Sequence, residues 1–565
     1  MRWVSWAALL VLLLSLITIS ARPLLPVDET RYVAVAWEAH ERGDLLVSHL
    51  NGDTYAHKPP VLFWLINLMW AMFGVSSFGA RLPGPLAGVV CVFLTWRTAR
   101  LLDADSPETA NCAAFVHAAS LLWLFFCPLT MFDTLLTMSA ELAVQGVLLA
   151  GLGNWRRGWL QMGLAAGVGV LCKGPVVLLW VLPAALAAPW WLPSLPRGGW
   201  RAWYALLAAA VLLSATVAMA WALPSAAAGG EDYAQELLFG QTAGRMVDSF
   251  AHRRPLWWYL PIVPLCLLPW LLWPAVWQGL VRTIVHPAGC RWQVRWLLVR
   301  AVSGFVLLSF TSGKQVYYLM PMIPPCAVLL AELMQRSGGL PSRLQVFPVA
   351  AGTVVLGAVP LLINHSSVAA ETGLPGLVSD GAAALMMGCG GVLFWPRFHR
   401  WITATAAVSS AATVFVAVLT VSLQSTLWDG FDVAPLARAT GAAGVPAGWL
   451  GVYHGQLNYA GGLLRVEELA DLAAFERWLG EQGEVAVVVR LPQGEPMPGE
   501  LEQALWKLDR QRPDERSGRV LAAGLLGAGV IPRAGSRVRL EFVQRLRTGL
   551  RVPLHVLVRY SARSD

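Results

Sequence analysis

The sequence predicts a polytopic α-helical membrane protein of about 13 transmembrane helices, followed by a small extracytoplasmic α/β domain at its C-terminal end. The 565 residues are 56% hydrophobic and only 13% charged, a composition that excludes an ordinary water-soluble globular protein. Apolar segments long enough to cross a bilayer recur throughout residues 1–424. Residues 425–565 have a mixed composition, which is typical of a soluble domain.

The predicted spans begin with residues 3–20, an apolar run behind Arg2. The small residues Ser20 and Ala21 would also allow a cleaved signal peptide, but the run is long enough to span, and we interpret it as an uncleaved first helix. Twelve further apolar segments lie at residues 82–101, 112–130, 134–152, 159–172, 174–192, 203–223, 257–279, 296–312, 316–335, 344–363, 380–395 and 402–424.

Arginine marks every second loop between these spans, which by the positive-inside rule makes those loops cytoplasmic. The marking residues are Arg97, Arg100, Arg156, Arg157, Arg197, Arg201, Arg282, Arg291, Arg295, Arg336, Arg343, Arg397 and Arg400. The opposite face then receives residues 21–78, 224–256 and 425–565. The first of these loops is predicted to contain interfacial helices, because residues 61–73 are apolar but too short to span comfortably. The formal charge of +8 follows from this topology and does not indicate a nucleic-acid partner.

The chain therefore divides into a transmembrane domain, residues 1–424, and a soluble domain, residues 425–565. Within the soluble domain, residues 485–490 and 538–543 are predicted as strands. Residues 466–479 have the pattern of an amphipathic helix. We find no catalytic motif in this domain, so chemistry is expected elsewhere.

Lysine is rare in this chain, with only four among 42 basic residues. Lys58, Lys173 and Lys314 all lie at predicted extracytoplasmic ends of membrane segments. A lysine ammonium is a compact point charge suited to a phosphate, although each lysine alone could simply extend to the interface. Four arginines share that face against the positive-inside trend, namely Arg81, Arg245, Arg253 and Arg254. Together these cations predict an anionic ligand.

Carboxylates gather on the same predicted face, with Asp28 and Glu29 in the first loop and Asp133 after the third span. They are candidates for a general base or an acceptor-positioning group opposite the cations. Asp28 also suits a helix N-cap, and Asp133 could cap the fourth helix. Asp133 has otherwise apolar neighbours, and an ionisable group at such a depth is a functional candidate.

Metal binding is predicted only weakly. His57 and His252 lie in the two main external loops and could share a divalent metal, but two nitrogens underdetermine a site. The alternative is a pair of polar interface histidines, and no cofactor is required. Asp103-Ala104-Asp105 has the spacing of metal-dependent nucleotide-sugar transferases, but it follows no Rossmann pattern and is interpreted as a solvated cytoplasmic loop.

Several motifs in the external loops form a combination that resembles a known family. They are Asp28-Glu29-Thr30-Arg31-Tyr32, His57-Lys58-Pro59-Pro60, Phe78-Gly79-Ala80-Arg81, Asp133, Lys173-Gly174-Pro175, His252-Arg253-Arg254-Pro255 and Lys314 with Tyr317-Tyr318. This combination resembles the bacterial aminoarabinose transferases (ArnT-like), which group with the protein O-mannosyltransferases among the polyprenyl-phosphate-sugar glycosyltransferases of GT-C fold. The resemblance covers about residues 1–335, and beyond that only the layout agrees.

The resemblance implies an inverting transfer from an undecaprenyl-phosphate sugar on the periplasmic face of a bacterial inner membrane. The acceptor would be lipid A, another envelope glycan or a protein. By resemblance, Asp28 with Glu29 is the candidate base or acceptor-binding pair, and Asp133 is a second essential carboxylate. The donor phosphate would be held by Lys58, Arg81, Arg254 and Lys314, with Lys173, Arg245, Tyr317 and Tyr318 as further candidates.

Two alternatives stay open at this point. Aminoarabinose transferases commonly have an acidic residue before the Lys-Pro, where this chain has His57, so a neutral pentose or hexose is as credible as an amino sugar. A secondary transporter or flippase for an anionic lipid is the alternative function. Transporters usually hold their charges near the bilayer midplane on broken helices in repeated halves, whereas these charges cluster at one edge.

Overall fold

The computed structural model describes residues 1–240, 254–285, 291–339, 341–365, 378–395 and 398–491. Beyond these it describes residues 503–505, 507–508, 510–511, 513–514, 517, 519–522, 525, 537–546 and 553–561. The chain forms two compact units. The first, here called the helical unit, contains Met1–Ala21 and Ala56–Leu423. The second, the sheet unit, contains Arg22–Tyr55 and Gln424–Asp565.

Helices dominate the described residues. In chain order the α-helices are α1 Arg2–Ala21, α2 Asp28–Arg42, α3 Val61–Phe73, α4 Ser77–Arg81, α5 Pro83–Leu102, α6 Pro107–Ala118, α7 Leu121–Phe126, α8 Phe132–Gly151, α9 Trp155–Lys173, α10 Val177–Leu186, α11 Ala188–Trp191, α12 Gly199–Gly229, α13 Glu231–Gln235, α14 Tyr259–Cys266, α15 Pro274–Val285, α16 Trp292–Phe310, α17 Ile323–Arg336, α18 Arg343–Asn364, α19 Asp380–Val392, α20 Trp401–Ser422, α21 Ala434–Gly441, α22 Asn458–Gly461 and α23 Leu472–Gln482. Short 3₁₀ helices lie at Gly174–Val176, Leu256–Trp258, Trp270–Leu272, Val316–Met322 and Trp428–Phe431, and Glu236–Gly240 is a π-helix.

Nine helical segments among the described residues are long and apolar enough to cross a membrane. They are Arg2–Ala21, Ser77–Leu102, Phe132–Gly151, Trp155–Leu186, Gly199–Gly229, Trp292–Phe310, Val316–Arg336, Arg343–Asn364 and Trp401–Ser422. The prediction of many spans is confirmed, but the count of thirteen is not. The predicted spans at 112–130 and 257–279 are interrupted, residues 174–192 continue the preceding segment, and α19 has 13 residues.

The two interrupted segments meet where their helices break. The Leu121 amide, at the start of α7, donates to the Leu268 carbonyl at 2.8 Å. Four prolines remove backbone donors from residues 257–279, which divides that segment into short pieces. In hydrocarbon no water can satisfy the exposed backbone groups, so a break is tolerated only where the protein supplies partners. Periodicity alone could not predict these breaks.

Helix α8 lies deep inside the helical unit, since 83% of its most apolar 18-residue stretch is buried. It packs on α9 at very short range where two glycines face each other. A Cβ on Gly146 would lie 2.5 Å from the Gly158 carbonyl oxygen, and a Cβ on Gly158 would lie equally close to the Gly146 oxygen. Small residues permit this approach of helix backbones, which is how membrane helices pack tightly. This close contact joins the C-terminal part of α8 to the first turn of α9.

A buried ion pair joins α8 to α16. The Arg300 guanidinium donates to Glu141 at 2.5 Å, and both side chains are almost fully enclosed. The other Glu141 oxygen accepts from the Thr98 hydroxyl at 2.6 Å, and that hydroxyl also accepts from Gln145 at 2.9 Å. The Glu141 carboxylate therefore has an additional hydrogen bond of the kind that a buried charge requires, whereas Arg300 Nε is buried without a hydrogen-bond partner among the described residues.

The Glu141→Gln substitution should destabilise the helical unit by about 3 kcal/mol, because it leaves the Arg300 charge buried without a counter-ion. The measurement is unfolding of the detergent-solubilised chain by a denaturing detergent. Glu332→Gln is the matched control: Glu332 pairs with Arg336 one helical turn away, and both are partly exposed. That variant should lose less than about 1 kcal/mol. Equal losses in the two variants would contradict a special role for the buried pair.

The sheet unit contains a five-stranded mixed sheet with strand order β4-β3-β5-β7-β6. The strands are β3 Ala447–Leu450, β4 Glu467–Leu469, β5 Glu484–Leu491, β6 Arg537–Arg545 and β7 Leu554–Ser561, after a small hairpin of β1 His49–Leu50 and β2 Asp53–Thr54. Strands β3, β4 and β5 are mutually parallel, and β5, β7 and β6 pair antiparallel. The strands predicted at 485–490 and 538–543 are confirmed.

The helix predicted at 466–479 is wrong in its first third. Residues 467–469 form β4, and the helix begins only at Leu472. The reason is local, because Asp471 is extended and its carboxylate accepts from the Ala474 amide at 2.8 Å. This N-cap fixes the helix start after the strand.

The first external loop divides differently from the sequence prediction. Residues 21–78 were assigned to the transmembrane domain, whereas Arg22–Tyr55 cluster with the C-terminal residues in the sheet unit. Long-range hydrogen bonds explain the difference, because the Asn51 side chain bonds to the backbone of Val466 at 2.8 and 2.7 Å. A contact across 415 residues has no signal in local composition.

Candidate functional site

Asp133 lies in the first turn of α8, where the helix dipole favours a negative charge. The N-cap position is Met131, so the capping role considered for Asp133 is not what the structure shows. Its side chain is only 2% exposed. A carboxylate buried this deeply requires a cationic partner, which identifies the next residue of the site.

That partner is Lys173, the last residue of α9. Its ammonium donates to the Asp133 carboxylate at 2.5 Å. The same ammonium lies 4.4 Å from the ring centroid of Tyr318 and 5.3 Å from that of Tyr317. We call these four residues the carboxylate cluster. Four sequence candidates from three separate segments are thus brought together in this cluster. Lys173 orients a carboxylate instead of presenting an unpaired charge for a phosphate.

Lys314 holds the segment that carries Arg254. Its ammonium donates to the Arg254 carbonyl at 3.2 Å and also to the Thr311 carbonyl. The Arg254 amide in turn donates to the Ser312 carbonyl at 3.3 Å. Burial lowers the pKa of Lys314. Lys314 therefore fixes backbone geometry, while the Arg254 guanidinium is exposed, 5.9 Å from the ring centroid of Trp258.

One short segment connects Lys314, which bonds to the Arg254 carbonyl, to the carboxylate cluster. Residues 314–318 contain Lys314 at one end and the two cluster tyrosines at the other. The Tyr259 hydroxyl donates to the Gln315 carbonyl between them at 3.1 Å. The Arg254 backbone and the Lys173 ammonium that bonds to Asp133 therefore both contact the same short segment of the chain.

The remaining predicted phosphate ligands lie near the start of the helical unit. Lys58 is half-buried, and Arg81 is buried at the end of α4, with Nε donating to the Ser77 carbonyl at 3.0 Å. His57 lies 3.0 Å from a carboxylate oxygen of Glu236, a residue that sequence analysis did not single out. An acidic partner thus stands opposite His57.

Asp28 lies in the sheet unit, at the first residue of α2. Its carboxylate accepts from Arg31 at 2.5 Å and from the Tyr32 hydroxyl at 3.3 Å, and it is 40% exposed. The N-cap of α2 is Val27, so Asp28 does not act as the cap. Burial acts to lower the pKa of Arg31, but Tyr55, Tyr32 and Asp28 outweigh it and raise that pKa overall. The pair forms a charged, solvent-accessible edge.

Glu29 differs from its neighbour, because its carboxylate is buried and already bonded. It accepts two hydrogen bonds from the Arg22 guanidinium, one of them at 3.1 Å, and one from the Leu25 amide at 3.0 Å. Arg22 is equally buried. The predicted acidic pair therefore separates into an accessible carboxylate, Asp28, and an enclosed one that anchors the start of α2.

Three predicted residues, Arg245, His252 and Arg253, lie outside the described residues. Sequence reasoning missed Arg22, Arg31 and Glu236 as partners, although the motif at 28–32 contains Arg31 at helical spacing from Asp28. Within the described ranges no group of three or more histidine, cysteine or acidic side chains could hold a metal. The metal assigned to His57 and His252 stays a prediction.

Comparisons with known proteins place this geometry in context. Residues 57–224 match the family described as dolichyl-phosphate-mannose-protein mannosyltransferase. The undecaprenyl phosphate-alpha-4-amino-4-deoxy-L-arabinose arabinosyl transferase of Edwardsiella ictaluri is 30% identical over 344 residues, 60% of each chain. The protein of that name from Pseudomonas aeruginosa is 31% identical over 352 residues, 59% of this chain and 60% of that one. The chain thus aligns with about 60% of the length of these curated relatives.

The solved structures extend the likeness to the whole fold. ArnT from Cupriavidus metallidurans bound to undecaprenyl phosphate has a TM-score of 0.70 at 16% identity, covering 100% of this chain and 99% of that one. The apo structure of the same protein gives the same TM-score at 17% identity. The chain therefore shares the overall fold of these structures. In sequence similarity and in fold this chain is ArnT-like, as the sequence resemblance predicted.

Proposed function

We propose that this chain is a membrane glycosyltransferase that moves a sugar from undecaprenyl phosphate to an envelope acceptor, with lipid A as the first acceptor to test. The observation that carries the proposal is the carboxylate cluster, in which a buried Asp133 is held by Lys173 between two tyrosine rings. Burying a charge of this kind lowers the stability of the fold, so an enclosed ionisable group indicates a functional role. The likeness to transferases that use undecaprenyl-phosphate sugars supports the donor class.

In the proposed reaction an acceptor oxygen attacks the anomeric carbon of the sugar. The bond from that carbon to the phosphate oxygen breaks, and its electron pair leaves with undecaprenyl phosphate. Cations stabilise the charge that develops on the leaving phosphate, where transition-state binding raises the rate most. Lys58, Arg81 and Arg254 are the proposed phosphate ligands. Lys314 acts by fixing Arg254, because its ammonium bonds to backbone carbonyls.

The two proposed catalytic carboxylates, the enclosed Asp133 and the exposed Asp28, have different proposed roles. Asp133 orients the donor sugar together with Lys173, since their pair is rigid and enclosed. Asp28 serves the acceptor, because its carboxylate is exposed beside Arg31. A hydroxyl acceptor would transfer its proton to Asp28, whereas a phosphate acceptor already carries an anionic oxygen and would use Arg31 for binding. Glu29 anchors α2 through Arg22.

The proposed orientation follows the arginine pattern. Thirteen spans in a bacterial inner membrane would place the carboxylate cluster, residues 21–78 and residues 425–565 on the periplasmic face. A boundary between a transmembrane domain and a soluble domain near residues 424 and 425 remains part of this proposal, with Arg22–Tyr55 grouped with the C-terminal residues. The identity of the sugar depends on the region of His57. This histidine stands directly before Lys58, where aminoarabinose transferases commonly have an acidic residue, and its ring lies beside the Glu236 carboxylate.

Mass spectrometry of lipid A, envelope glycans and glycoproteins from cells with and without the chain tests the proposal. We expect one acceptor to gain the mass of a sugar only when the chain is present. The added mass distinguishes an amino pentose from a neutral pentose or hexose. Movement of the lipid-linked sugar across the membrane with no new glycosidic bond would overturn the proposal in favour of a flippase.

A further inference from the structure

The hairpin turn between β1 and β2 is tied to the C-terminal sheet by one side chain. The Asn51 amide nitrogen donates to the Val466 carbonyl at 2.8 Å, and its oxygen accepts from the Val466 amide at 2.7 Å. The same oxygen accepts from the Asn458 side chain at 3.0 Å. Asn51 thus imitates a strand partner for the residue directly before β4. We call these three residues the asparagine clasp.

The Asn458 side chain, which bonds to the hairpin, is also held by hydrogen bonds within the C-terminal residues. Asn458 is 1% exposed, and its amide also donates to the Leu463 carbonyl at 2.7 Å. Its oxygen accepts from the Tyr453 hydroxyl at 2.7 Å, and that hydroxyl accepts from the Leu457 amide at 3.1 Å. The carboxamide therefore has a fixed orientation, and the clasp is a fixed point for residues 49–54.

The buried carboxylate of Glu38 connects the hairpin turn to α2. The amide of Gly52, next to Asn51, donates to Glu38 at 3.1 Å. Glu38 is 1% exposed and also accepts from Arg42 at 2.9 Å. Because Glu38 lies on α2, a displacement of the hairpin would be passed to the helix. The first turn of that helix carries Asp28 and Arg31.

The loop after β3 also interacts electrostatically with this first turn. His454 lies in this loop, between β3 and the clasp residue Asn458. Burial lowers the pKa of His454, Arg31 lowers it further, and Glu468 and Asp28 act to raise it. Charges of the loop and of the α2 N-terminus therefore interact. Both ends of α2 thus interact with other residues of the sheet unit, the first turn with the loop after β3 and the C-terminal half with the hairpin.

From these contacts we propose that Asn51 is a positioning residue for Asp28, through which the C-terminal sheet holds α2 in the geometry that transfer requires. The inference rests on the proposed function and assigns a role to a domain in which sequence analysis found no motif. Asp28 would be misplaced without the clasp, and a displacement of about 1 Å lowers a rate by up to about 10²-fold.

Asn51→Gly is the informative variant. Asn51 and Gly52 have φ of 60° and 91°, the left-handed pair of a two-residue hairpin turn, and glycine adopts that conformation readily. The substitution thus removes the clasp and keeps the turn. With the full-length chain in proteoliposomes, undecaprenyl-phosphate sugar and lipid A, we expect kcat to fall roughly 10-fold or more while KM for the donor is unchanged. Amide exchange of residues 43–56 and 464–470 should rise.

Asp471→Ala is the matched control, since it removes the cap of α23 in the same unit and lowers stability by about 1 kcal/mol. We expect its kcat to equal that of the wild type. Faster amide exchange in Asn51→Gly with wild-type kcat would overturn the inference alone, and so would an equal loss of kcat in the control. Absence of transfer by the wild type would instead overturn the proposed function, and the inference with it.

Discussion

Asp133→Asn is expected to lower the rate of sugar transfer by about 10³-fold or more. Asparagine keeps the size of the side chain but removes the charge that holds the Lys173 ammonium at 2.5 Å. The asparagine carbonyl could still accept from that ammonium, but without a counter-charge the buried Lys173 would be held less strongly. Initial rates with purified enzyme, undecaprenyl-phosphate sugar and lipid A measure the effect.

Loss of folding has to be distinguished from loss of chemistry, because an unpaired buried lysine is destabilising. The double variant Asp133→Asn, Lys173→Gln removes both charges and should recover stability without recovering transfer. Asp380→Asn is a matched control in the same unit, since Asp380 also lies in a helical first turn but is exposed beside His365. That variant should keep its rate within about twofold. Normal turnover by Asp133→Asn would exclude the proposed role of the cluster.

The fold could be predicted to the extent that it depends on summed hydrophobicity. Long apolar segments such as α12 and α20 are hydrophobic over more than 20 residues, so a single polar residue or turn signal does not change the prediction of a span. The interruption between α6 and α7 could not be predicted, because it depends on a backbone hydrogen bond to Leu268 from a distant segment. The helix predicted to begin at residue 466 was misplaced by a single cap at Asp471.

The candidate site could be predicted as a set of residues but not as a set of contacts. Residue type and position relative to the membrane identified Asp133, Lys173 and Lys314 as unusual. Their pairing depends on which chain ends lie next to each other in the folded protein, such as the first turn of α8 and the last residue of α9, which is a tertiary property. For this reason Lys173 and Lys314, both predicted as phosphate candidates, are bonded to a carboxylate and to backbone carbonyls respectively.

The second large effect is expected for Asp28→Asn, which should lower transfer about 10²- to 10³-fold. Asparagine can still accept from Arg31 and from the Tyr32 hydroxyl, at 2.5 and 3.3 Å in the wild type, so the helix start should stay intact. What is lost is the negative charge and the ability to accept a proton. Kinetics with the same donor and two acceptors, one a phosphate and one a hydroxyl, measure the loss.

Comparison of the rates with the two acceptors distinguishes a role of Asp28 as a general base from a role in positioning the acceptor. A hydroxyl acceptor must release a proton in the transfer, so Asp28→Asn should abolish its use if Asp28 is the base. A phosphate acceptor carries an anionic oxygen already, so the variant should retain more of its rate and bind through Arg31. Asp44→Asn is the matched control, because Asp44 follows α2 and accepts from the Leu46 and Val47 amides, bonds that asparagine can keep. Equal losses for both acceptors would assign Asp28 to orienting the acceptor, and wild-type rates for both would remove it from the site.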